Sequence, residues 1–144
     1  MLRLLGYGGL IPFVGLSAFA LYTEAPDLRT LAREGLALYT VAILSFVGAV
    51  SWGIALAAPS LNDLQRKHLL VFSVIPSLLA CLLWFLPDNA LRWFAFAALT
   101  IGIFFVDRMN GRAMGWPSAW LQLRLHLSIV VASVLMMTAT GYWL

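Results

Sequence analysis

The sequence predicts an all-α fold, a bundle of five helices that each cross a membrane. Two observations carry that prediction. Of the 144 residues, 62% are hydrophobic and only 10% are charged, whereas a water-soluble domain carries about a quarter charged residues to cover its surface. The apolar residues also fall into five runs, 4–22, 36–58, 69–86, 91–106 and 121–144, close to the roughly 20 residues that span about 30 Å of hydrocarbon. This composition excludes a disordered chain, a disulfide scaffold and a conventional soluble enzyme. The single Cys81 excludes an internal disulfide or a multi-thiolate metal site. The whole chain reads as one integral membrane domain, because no connection is long enough to fold separately.

The first run opens on Arg3 and a glycine-rich apolar stretch and contains Ala18-Phe19-Ala20. This imitates a cleavable secretory signal, but the segment is expected to be retained as a span. Pro12 lies inside it, removing a helical hydrogen bond and predicting a bend. The connection 23–34, with Pro26 and mixed charges, reads as a loop. In the second span Ser45, Ala49, Gly53 and Ala57 recur every four residues and share a face, with Gly48 and Trp52 beside them. Small residues let helix backbones approach closely in lipid. The stripe therefore marks either a helix at the centre of the bundle or a contact face for a partner.

Asn62-Asp63 is a helix-start signal ahead of the third span, and Pro76 lies within that span. Leu10-Ile11-Pro12 and Val74-Ile75-Pro76 look alike, and each precedes a small-residue helix. That suggests two parallel helical hairpins, spans one–two and three–four, plus a fifth helix. The fourth run is the shortest, reaching only about 24 Å, so it needs local bilayer thinning or Arg92 and Asp107 as snorkelling ends. Ala98 and Gly102 give it a short small-residue surface. The connection 107–120 is punctuated by Asn110-Gly111 and Pro117. In the fifth run Arg124 is the most inserted charge. It is expected to cap or snorkel and to pair with Asp107 or Asp63, the alternative being a contact to a lipid headgroup or a partner.

Five spans put the termini on opposite sides. Arg3, Arg66, Lys67, Arg108, Arg112 and Arg124 then share the N-terminal side, and Arg29, Arg33 and Arg92 the other. That bias predicts a cytoplasmic N-terminus and a periplasmic C-terminus in a bacterial inner membrane. Trp84, Trp93, Trp143, Tyr22 and Tyr142 are expected at the outer interface, and Trp52, Trp116 and Trp120 at the inner one.

Sites for chemistry are sparse. The net charge of +3 comes from basic residues scattered at span ends, so no nucleic-acid groove is expected. His68 and His126 sit on the same side with Arg66, Lys67 and Arg124 nearby, which permits a bis-histidine haem; interfacial histidines are more often solvated. Every ionisable residue is expected within about a turn of a span end, which argues against a proton or ion pathway. There is no metalloprotease helix, nucleophile elbow or phosphate loop. No catalytic residue, metal or cofactor is assigned.

Several motifs are similar to those of a known family. Gly8-Gly9-Leu10-Ile11-Pro12-Phe13, then Tyr39 with Ile43-Leu44-Ser45-Phe46-Val47-Gly48 and Trp52-Gly53, then Ile75-Pro76-Ser77, and finally Trp120 with Leu123-Arg124 occur in family order. In these the chain resembles the domain-of-unknown-function family 3429, the transmembrane protein sixty-nine-like proteins. The resemblance implies a small five-span inner-membrane protein of bacterial or mitochondrial type and brings no established activity. His126 and Ser128 depart from it, standing where an aliphatic residue and Thr are usual.

The function expected from these features is that of a non-catalytic accessory, assembly or stabilising subunit of a membrane complex. Its contacts would be Ser45, Gly48, Ala49, Trp52, Gly53, Ala57 and Arg124, with Pro12 and Pro76 as kinks. Its partners would be lipids and other membrane proteins or further copies of itself. The alternative is a binder or carrier of a hydrophobic small molecule, such as a lipid, quinone or tetrapyrrole, admitted by a lateral groove between kinked helices.

Overall fold

The computed structural model describes residues 1–143, apart from the side chains of Leu2, Arg3 and Ala113. Leu144, expected to close the fifth span, and the Arg3 side chain counted among the basic residues lie outside that description. The described residues form six helices: α1 (Leu2–Gly8), α2 (Leu10–Tyr22), α3 (Pro26–Ala57), α4 (Asp63–Trp84), α5 (Ala90–Met114) and α6 (Ser118–Thr140). α1 and α2 together make the first span. Five spans are long and apolar enough to cross a membrane, and the chain is a multi-pass membrane protein. Large apolar side chains such as Leu4, Phe46, Leu56, Leu78 and Phe105 face outward, where lipid rather than water is their solvent.

Most helices begin earlier or end later than the apolar runs do, and each difference has a local cause. Pro26 does not mark a loop. It occupies the first turn of α3 with Asp27 beside it, where its missing N–H costs nothing and the acid favours the helix dipole. Most of the connection 23–34 is therefore helical. α4 starts where Asn62 predicts, with Asn62 and Gln65 exchanging side chain-to-backbone bonds in a capping box. α5 runs past Val106 to Met114 and is about 37 Å long, so no bilayer thinning is required. Asn110-Gly111 is helical; the helix stops at Gly115, whose φ of 68° is the left-handed conformation that glycine adopts cheaply. Pro12 lies just past the break between α1 and α2 at Gly9, whereas Pro76 sits in an unbroken α4.

Spans pack against their chain neighbours, and the first also meets the fifth, closing a ring of five. The closest pairs are α3 with α4 and α5 with α6. Spans one–two and three–four do pack as the expected hairpins, but the more extensive seams lie outside those pairs, and α3 is a ring member rather than a surrounded central helix. Gly48 explains the tight α3–α4 seam, since a Cβ there would lie 2.3 Å from the Ser73 carbonyl oxygen. Phe13, Leu36, Phe96 and Leu135 fill the interior. Ser17 and Thr138 join the first span to the fifth through hydroxyls 2.8 Å apart.

Candidate functional site

The half of the ring nearer the N-terminus encloses a cavity of about 330 Å³, at the small end of the ~300–1,000 Å³ typical of small-molecule sites. Its walls are almost wholly apolar. The first span contributes Leu10 and Phe13, α3 contributes Ile43 and Val47, and α6 contributes Leu123, Leu127 and Val131. Trp116 and Trp120 line its N-terminal end. Leu5 and Phe46 are rim residues exposed on the outer surface, while Phe13, Leu44 and Val131 are buried. The cavity therefore opens sideways, between the first and second spans. Where α1 passes into α2, Gly9 lines this wall with helical dihedrals: its carbonyl accepts a 2.9 Å bond from the Tyr39 hydroxyl on α3, and Tyr39 packs edge-on against Phe13.

Polar side chains interrupt the apolar lining at Ser51, Thr100 and Ser128 and at one ion pair. Arg124 on α6 and Asp107 on α5 form a buried ion pair with Nη2 2.6 Å from Oδ2, and both residues line the cavity. Each lies about two turns inside its helix, roughly 10 Å from the end. This corrects the expectation that no ionisable group lies deeper than a turn. Asp107 looked like a span end because a lone carboxylate terminates an apolar run; its partner, 17 residues later in the chain, lets the helix continue. One turn beyond Arg124, Ser128 is 2% exposed, and its hydroxyl finds no hydrogen-bond partner among the described residues. An unmet buried hydroxyl costs about 1–3 kcal/mol.

The residues singled out on α3 separate in space. Gly48 is buried against α4, and Ser45 bonds its own helix at the Val41 carbonyl. Ala49, Trp52, Gly53 and Ala57 are exposed on the outer surface. None of these six lines the cavity, whereas Arg124 does. His68 and His126 are both exposed and neither lines it; the His126 ring lies 3.4 Å from the Tyr7 hydroxyl. Pro12 lies three residues past Gly9 and is not among the cavity's lining residues, and Pro76 packs towards Gly48.

A second polar cluster sits at the opposite end. Arg92, 2% exposed, donates to Glu34 at 2.7 Å and Asp88 at 2.9 Å. Trp93, expected near the outer interface, is fully buried among the helices at that end, and its indole N–H reaches Asp88 and the Tyr142 hydroxyl at 3.2 and 3.0 Å. Tyr142 in turn donates to Asp88, and the Arg33 guanidinium stacks 3.9 Å from the Tyr142 ring centre. Tyr142 titrates high, pushed up to about 12 by burial first and by its bond to the Asp88 carboxylate second. The cluster ties α3, the turn before α5 and the residues after α6 together. Sequence reasoning overlooked it, although the four-residue spacing of Asp88 and Arg92 was a usable signal.

Comparison with known proteins adds the family. The family described as "Protein of unknown function (DUF3429)" matches residues 1–140, and the chain belongs to it. No curated protein and no solved structure matches.

Proposed function

We propose that this DUF3429 member is a non-catalytic membrane protein that binds a hydrophobic small molecule, taken up sideways from the bilayer into the cavity between the first, second, fourth and fifth spans. The observation that carries this reading is an apolar, laterally open cavity of about 330 Å³ with the Asp107–Arg124 pair in its wall. Apolar walls supply affinity in proportion to the area they cover, and a few placed polar groups orient the ligand. The volume suits one ring system or one acyl chain. In this reading the N-terminal face is cytoplasmic, on the bias of basic residues, and the membrane is a bacterial inner membrane.

The test is native mass spectrometry of the protein extracted in mild detergent. A co-purifying small molecule is expected on the wild type and on Trp52→Ala, whose side chain lies outside the cavity. It is expected to be lost from Val47→Trp, which fills the cavity. Equal retention by the wild type and both variants, or none by the wild type, contradicts the reading.

A second reading, an accessory subunit acting through helix contacts, draws on the exposed part of the α3 stripe. A Cβ on Gly53 would meet no neighbour within 4 Å among the described residues, so that face is left uncovered by this chain. Crosslinking from a photoreactive residue at Ala49 in native membranes tests it, and adducts to lipid alone contradict it.

A further inference from the structure

We infer that the cavity's occupant carries one neutral hydroxyl group, an alcohol or phenol on an apolar body, seated where Asp107, Arg124 and Ser128 meet. This rests on the binding reading above and adds the chemistry of the ligand's polar end.

Two observations point to that end. Both hydrogen bonds of the ion pair, from Nε at 3.1 Å and Nη2 at 2.6 Å, land on the same oxygen, Oδ2 of Asp107. Among the described residues the pair's recorded bonds all go to Oδ2, leaving Oδ1 of Asp107 and Nη1 of Arg124 without a hydrogen bond. Independently, the Ser128 hydroxyl, four residues from Arg124 and on the same helix face, is buried in the cavity wall without a partner among the described residues. The site thus holds a spare acceptor, a spare donor and a hydroxyl that does either. A ligand hydroxyl also donates and accepts from one atom, so it can meet both kinds of spare group at once.

Charge and hydrogen-bond balance disfavour ionised groups, groups that only accept, and bare hydrocarbon. The pair is already neutral in sum, so an ionised carboxylate or phosphate would leave a net negative charge in an apolar surround, at a cost of several kcal/mol. An ammonium would leave a net positive one. A carbonyl or ether accepts only, satisfying Arg124 and Ser128 but leaving the Asp107 oxygen bare. A pure hydrocarbon fills the walls and leaves all three groups unmet.

Competition among para-octylphenol, para-octylbenzoate and octylbenzene, which share their apolar body, tests this. The full-length protein in mild detergent at neutral pH, where the benzoate is ionised, is offered an equimolar mixture, and occupancy is read by native mass spectrometry. The phenol is expected to exceed the benzoate about tenfold. In Ser128→Ala the phenol-to-octylbenzene ratio is expected to fall about fivefold, as loss of one hydrogen bond predicts, with octylbenzene itself retained as in the wild type. Preference for the benzoate, or an unchanged ratio in Ser128→Ala, overturns the inference while leaving the cavity reading standing. Failure of all three probes to bind the wild type overturns both.

Discussion

Arg124 places two donors on one oxygen of Asp107, joining the fourth and fifth spans inside the bundle. Removing either partner leaves a buried charge uncompensated, so Asp107→Asn and Arg124→Gln are each expected to destabilise the protein by about 3–5 kcal/mol. Replacing both, as Asp107→Leu with Arg124→Met, leaves no charge to desolvate and is expected to cost less than either single change. Midpoints of denaturant unfolding in fixed micelles measure all three. A double variant at least as damaged as the sum of the singles would contradict the pairing.

Gly48 and Gly53 belong to one stripe on α3 but have opposite surroundings. A methyl group at Gly48 would collide with the Ser73 backbone, which has no flexible end to move aside, so Gly48→Ala is expected to force α3 and α4 apart at about 1–3 kcal/mol. Gly53→Ala meets nothing within 4 Å among the described residues and is expected to be neutral or slightly stabilising, since Ala favours a helix. Thermal unfolding of the two variants side by side checks this, and equal losses would contradict the seam.

At the far end, the raised titration of Tyr142 carries a sign. Its neutral form is the one favoured by the fold, so the contribution is fully present below the ordinary tyrosine value near 10 and is lost as pH rises through about 12. Stability is therefore expected to fall across that window more steeply in the wild type than in Tyr142→Phe. Tyrosinate absorbance should show one of the four tyrosines titrating late, and that late step should vanish in the variant.

What could be read in advance followed from short-range pattern. Lipid as solvent, five spans and the Asn62 cap depend on composition or on neighbours within one helix or turn, and Asp107 could be named as a candidate partner for Arg124 because both fall at span ends on the same side. What could not be read depends on side chains brought together by packing. The true end of α5 was hidden because Asp107 is tolerated only through a residue on the next helix. Trp93 has the composition of an interfacial anchor, and only the Asp88–Tyr142 contact reveals it as buried. The cavity is assembled from helices more than 100 residues apart in sequence, Leu10 and Val131 both lining it, and no single-helix periodicity encodes it.

The central claim is that an apolar molecule enters the ring of helices rather than coating it. Photolabelling with octylbenzene carrying a diazirine, followed by peptide mapping, tests this most directly. Labels are expected at Leu10, Val47 and Leu127, and excess para-octylphenol is expected to suppress them. Labels confined to outward residues such as Leu56, Leu78 and Phe105, unaffected by competitor, would contradict it.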